Sequence, residues 1–235
     1  MSDDIYRYLR IMDSAGVDVA CINHIFFGDA ARGNDLVARA VAEHPDRFIG
    51  VAFVTPHYPE EAVRELERAF DKLGMAYLKL YPNYVERPID DPAYGPILEW
   101  CEERRVLVMC HTYYESEYDN TLTAPRRFIG LSERYPNIRW QLAHAGNGPP
   151  GQAQAVEAAR ASPNIYLETC TSLADDGSIE FLVEGAGADR VLFGSDMPLM
   201  DPRHHVGRIV TADIPEDAKR KVLGLNAIKL LGLER

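Results

Sequence analysis

The sequence predicts an α/β fold, a TIM-type (β/α) barrel with seven recognisable parallel strands where eight are usual. Three observations predict it. Short apolar, β-branched runs recur with starts 25 to 32 residues apart. Amphipathic helical patterns fill the intervals. The runs are apolar throughout rather than alternating, as strands covered on both faces are. A unit of about 30 residues repeated along a chain of this length suits the barrel. An open doubly wound sheet shares the spacing and is the alternative. With 46% hydrophobic residues, 1–235 reads as one domain around one core.

A helix-like segment, 3–15, comes first. The strand-like runs are then Val17–Ile22, Phe48–Val54, Ala76–Leu80, Val106–Cys110, Ile138–Leu142, Ile165–Glu168 and Arg190–Phe193. Between the first two, "NDLVARAVAEHP" is helical, and His44 at its end reads as a solvated residue whose positive charge suits the helix dipole. The segment 59–74 opens on Pro59, carries glutamates in its first turn and stops at Gly74, start and stop signals in the right order. Segments 91–105, 123–136 and 215–232 read similarly. The chain is therefore a helix followed by seven β-α units, and the strand that should open a barrel is absent.

Chemistry in barrels and open α/β sheets collects at the C-terminal ends of the strands. Those ends carry Asn23-His24, His57, Lys79 with Tyr81, His111, His144, Glu168-Thr169 and Ser195-Asp196 in turn. Single strand-end histidines are usually structural, and His24 and His57 are read so. Two histidines and an aspartate closing separate strands, His111, His144 and Asp196, are a different matter. Imidazole and carboxylate are the ligands that Zn²⁺, Mn²⁺ and Fe²⁺ share, and a catalytic site needs about three of them plus an open position.

Composition narrows the partners. With 25 Lys plus Arg against 36 Asp plus Glu, a formal charge of −11, nucleic acid and anionic membrane surfaces are disfavoured. No apolar run approaches a membrane span, and "MSDDIYRYLR" has no signal-like apolar segment. Cys21, Cys101, Cys110 and Cys170 form no C-x-x-C pair and read as reduced core or near-core residues of a cytoplasmic protein. "GNGPPG" (146–151) matches G-x-G-x-x-G, and Glu168 lies near the spacing of a ribose-binding acid. The match fails physically, because Pro149 and Pro150 have no N–H to offer a pyrophosphate. It reads as a rigid loop beside the pocket.

"MDSAGVDVACI", "VLVMCHT", "YPNIRWQLAHAG", "PNIYLETC", "DRVLFGSDMP" and "GLNAIKLLGL", in that order, resemble the amidohydrolase superfamily. The likeness is to its amidohydrolase-2 branch, which includes aminocarboxymuconate-semialdehyde decarboxylases, resorcylate-type decarboxylases and lactonases. The resemblance implies one divalent metal, with zinc favoured over manganese and iron. It implies that His111 is a metal ligand and that Asp196 is a metal-associated carboxylate able to take a proton from bound water. His144 would be a base or electrostatic partner that approaches the metal in some members. The family's opening strand carries an H-x-H pair of ligands, and no H-x-H occurs here. Either an N-terminal piece has been lost or this is a natural short form. His204-His205, adjacent in the loop after the last strand, reads as a surface or lid feature.

These readings converge on a metal-dependent hydrolase of a small carboxylated amide, ester or lactone, with Asp196 and His144 as catalytic residues. His111, His144 and Asp196 are its metal ligands. Lys79, Tyr81 and Arg203 are candidates for substrate contact, with Arg126 and Arg127 as further cations. Lys79 reads as a packing or charge-pairing residue rather than a carbamylated metal bridge. A non-oxidative decarboxylase of an aromatic or unsaturated acid is the second reading, and a barrel that has lost its chemistry with the H-x-H is the third. Open barrel edges invite pairing between chains, so a homodimer is expected.

Overall fold

The computed structural model describes residues 2–25, 28–118, 121–171 and 175–233. Seven parallel strands form a single sheet in strict sequence order. They are β1 (Ala20–Ile22), β2 (Phe48–Phe53), β3 (Tyr77–Leu80), β4 (Leu107–His111), β5 (Arg139–Ala143), β6 (Ile165–Glu168) and β7 (Val191–Leu192). Sequential order of parallel strands joined by helical connections is barrel topology, which excludes the doubly wound alternative with its order reversal. The sheet curls into a barrel left open by one strand, so β1 pairs only with β2 and β7 only with β6 among the described residues.

The helices are α1 (Ser2–Ala15), α2 (Ala30–Glu43), α3 (Pro59–Asp71), α4 (Gly95–Arg104), α5 (Arg127–Arg134), α6 (Pro149–Ala161), α7 (Ser178–Ala186), α8 (Pro202–Thr211), α9 (Glu216–Arg220) and α10 (Asn226–Leu231). Several begin later than their sequence pattern suggests, because proline fixes the start. Pro96 lies in the first turn of α4 and cannot lie deeper in a helix, so 91–94 is a separate short turn. The pattern over 215–232 breaks at a π-turn, Lys221–Leu225, between α9 and α10. The sequence reading missed α7 and α8.

Strand parity divides the core in two. Leu78, Leu80, Val108, Cys110, Trp140 and Leu142 face outward onto the helices in the larger cluster. Val51, Tyr77, Leu107 and Leu192 face inward, where Leu230 of α10 plugs the base of the barrel. Arg139 Nη1 donates to the Leu230 carbonyl at 2.5 Å and anchors that plug. With its base closed, the barrel is left open at the C-terminal ends of the strands.

Three sequence readings need correction. Cys21 is exposed rather than core, because it stands on β1, which pairs only with β2 among the described residues. His44 is half-buried, edge-on to Tyr6 and Phe48. His205 is no surface residue: it is 1% exposed on the inner face of α8. The "GNGPPG" segment does form a turn and a helix start, with Pro149 and Pro150 in the first turn of α6. Its glycines serve packing. A Cβ on Gly151 would lie 1.8 Å from the Gly146 carbonyl oxygen, and Gly146 has φ +80°.

Candidate functional site

The mouth of the barrel gathers His111, His144 and Asp196 from the ends of β4, β5 and β7. β5 stops at Ala143, and His144 enters a tight turn at φ +69°, followed by Ala145 at +43° and Asn147 at +69°. Asp196 sits at φ +49°. A left-handed backbone is unfavourable for side-chain-bearing residues and persists where the surroundings hold it. Here it is held by bonds. The Asn147 N–H donates to the His144 carbonyl at 2.7 Å, and the Leu199 N–H donates to the Asp196 carbonyl at 3.0 Å.

Glu168, at the end of β6, is the anchor of the arrangement. Its carboxylate accepts the His144 N–H at 2.9 Å and the Cys170 N–H at 2.6 Å. Burial raises its pKa to about 7, against the opposing pull of those two donors and Lys79. Gly194 makes room for it, since a Cβ there would lie 1.5 Å from Glu168 Oε1. His144 Nδ1 lies 3.2 Å from the Cys170 carbonyl, which fixes the ring as an Nδ1–H donor and leaves Nε2 with a free lone pair.

The rings form a wall. Tyr81 stacks on His111 with centroids 4.2 Å apart and planes 12° apart, and Tyr84 lies against Tyr81 at 4.1 Å. His111 meets His144 edge-on at 4.8 Å. Lys79 is buried, with Nζ 5.4 Å from the Tyr81 ring centre. Burial is the main cause of its lowered pKa, with the Cys110, Glu168 and Asp196 groups pulling the other way. Burial also lowers His111 to about 2, aided by His144 and Lys79, and lowers His144 to about 4. Both imidazoles are therefore neutral at physiological pH, the form that binds metal.

Among the described residues, buried polar atoms without a hydrogen-bond partner occur here as well: His111 Nδ1, Thr169 Oγ1 and His205 Nδ1. Two neutral imidazoles, a carboxylate and an orphaned ring nitrogen fit the divalent metal that the resemblance implies. Ligand atoms of His144, Cys170 and Asp196 all lie within 4.8 Å of one another.

The cations expected near substrate are otherwise engaged. Arg203 pairs with Asp201 at 2.5 Å, Arg126 with Glu157 at 2.7 Å and Arg127 with Asp90 at 2.8 Å. Three residues escaped sequence reasoning: Cys170, His205 and the anchoring role of Glu168. Cys170 lies two residues past a strand end and was taken for core. His205 could have been found from "DPRHHVGRIV", where Asp201 caps, Pro202 starts and 202, 205 and 209 share a face.

Residues 12–233 match the family model described as Amidohydrolase. The chain is similar to a 2-amino-3-carboxymuconate-6-semialdehyde decarboxylase of Dictyostelium discoideum, 26% identical over 235 residues. That alignment covers 86% of this chain and 66% of the relative, so the chain spans just under two thirds of the relative's length. Among solved structures, 5-carboxyvanillate decarboxylase LigW from Sphingomonas paucimobilis superposes with a TM-score of 0.76 at 26% identity, over 96% of this chain and 82% of that one. A dihydroxybenzoic acid decarboxylase from Polaromonas sp. JS666, solved with bound manganese and 2-nitroresorcinol, gives 0.78 at 24% identity, over 97% and 86%.

Proposed function

The chain belongs to the amidohydrolase family, and on that premise we propose that it removes a carboxyl group, as CO₂, from a small aromatic or unsaturated acid. One observation carries the reading. Tyr81 stacked on His111, with Tyr84 tilted 37° against it, makes an aromatic wall beside His144, to which a planar acid is complementary. The relatives' names support the same choice: they are decarboxylases, which favours this reading over hydrolysis of an amide, ester or lactone.

In such a reaction the carbon–carboxyl bond breaks, its electron pair stays on carbon, and a proton takes the vacated position. The protein's task is to bind a flat anion and manage that proton. Tyr81 and His111 would stack on the ring of the substrate or border it, and Lys79 would supply positive charge beneath the mouth. Exposed Asp196 is the proton-handling group, and neutral His144, anchored through Nδ1, keeps its Nε2 lone pair for the cation. A divalent cation held by His111, His144 and Asp196 would offset the substrate's negative charge when bound. The manganese in the Polaromonas structure supports a divalent cation here.

The test is CO₂ release from a panel of hydroxylated benzoates and unsaturated acids, with the protein supplied Mn²⁺ or Zn²⁺. Asp196→Asn should lower the rate at least about a hundredfold, the scale of a lost acid–base group. Cleavage of lactones or amides without CO₂ release, or an unaffected rate in Asp196→Asn, would overturn the proposal.

A further inference from the structure

We propose that Cys170 is a ligand of the cation site, which His144, Cys170 and Asp196 then complete as an imidazole–thiolate–carboxylate triad. The inference rests on the divalent-metal reading above and adds a ligand to it.

The geometry comes first. The three ligand atoms already lie within 4.8 Å of one another. A tetrahedral ion with bonds of about 2.0–2.3 Å holds its ligand atoms roughly 3.3–3.8 Å apart, so closure takes about an ångström of movement. Asp196 is exposed and can supply it by a change of rotamer. Cys170 need not move its backbone, which is pinned on both sides: its N–H on Glu168 Oε1 at 2.6 Å, its carbonyl at 3.2 Å from His144 Nδ1. The same carbonyl thus orients the histidine ligand, the outer-sphere support that metal-bound imidazoles usually have.

A second observation points to the same spot. His205, 1% exposed, has its Nε2 4.0 Å from Cys170 Sγ, and its Nδ1 has no hydrogen-bond partner among the described residues. A buried imidazole against a buried thiol, both beside a carboxylate, is poor packing chemistry and good ligand chemistry. In this triad Cys170 takes the place given above to His111, whose ring nitrogens are not in that group of ligand atoms, and three protein ligands with one position open is the arrangement of a catalytic rather than a structural zinc site. A thiolate also biases the choice of ion, toward Zn²⁺ and Co²⁺ and away from Mn²⁺, which prefers oxygen ligands.

The experiment is a cobalt titration of chelator-stripped protein followed by absorbance. Wild type should take up one Co²⁺ with visible ligand-field bands and an intense near-ultraviolet sulfur-to-cobalt charge-transfer band. Cys170→Ser should lose the charge-transfer band and bind at least about tenfold more weakly, whereas Cys21→Ser, which alters the exposed cysteine, should keep both features. X-ray absorption of the zinc-loaded wild type should show a sulfur shell at about 2.3 Å around the ion. This second measurement needs no variant to fold. Ligand-field bands without charge transfer in wild type, or no sulfur shell around zinc, would overturn the cysteine ligand and leave the metal-site reading standing. Failure to bind Co²⁺ at all would overturn both.

Discussion

At the scale of single residues, Glu168 decides how the site is held. A buried carboxylate that accepts two backbone N–H groups would ordinarily be ionised, yet burial outweighs the donors and sets its pKa at about 7. In the unfolded chain the group ionises near the usual carboxylate value. Between the two, the folded state holds a proton the unfolded state has lost. This contribution to stability is therefore full at acid pH and declines as pH rises toward 7. The displacement corresponds to about 3 kcal/mol. Urea unfolding in chelator at pH 5 and pH 7.5 should find wild type losing more stability over that interval than Glu168→Gln, by up to this amount. Parallel profiles for the two proteins would mean that the carboxyl is already ionised at pH 5.

At the scale of elements, the junction of β5 with α6 shows what the sequence could and could not disclose. The strand was legible because a buried parallel strand must be apolar along its length, and "IRWQLAHAG" says so directly. The refusal of "GNGPPG" as a phosphate loop was legible too, from two prolines without N–H groups. The reason for its glycines was not, since the approach of Gly151 to Gly146 is a contact between a turn and a helix that only coordinates place. The same holds for His205 and Cys170, which meet across 35 residues because α8 folds back over the end of β6. Helices α7 and α8 were missed because they are short and follow turn-rich segments. Gly151→Ala should cost about 2–4 kcal/mol, the scale of forced backbone displacement in a packed region. Gly207→Ala, in α8 with nothing near its added methyl, should stabilise by up to about 1 kcal/mol. Thermal unfolding of both variants checks the contrast, and a neutral Gly151→Ala would mean that the turn yields.

At the scale of the whole molecule, β1 and β7 each keep one unpaired edge among the described residues. A barrel abolishes strand edges by closing, and the seam between these two short edges is where this sheet stays open. On the outside, α1 leans toward α8, and between α1 and the segment after β7 lies a cleft of about 490 Å³. Arg7, Arg10 and Arg203 line it, a basic strip on a chain whose formal charge is −11. Arg203 already pairs with Asp201, which leaves α1 to supply the attraction for an acidic partner. A second copy of this chain is such a partner, and a two-fold contact would cover both seams at once. We therefore propose a homodimer built across the seam. Light scattering over a concentration series should give twice the mass of one chain, and Arg7→Glu with Arg10→Glu should return it to one, since like charges would then face each other. A wild type that stays monomeric at every concentration would show that α1 and α8 shield the edges well enough alone.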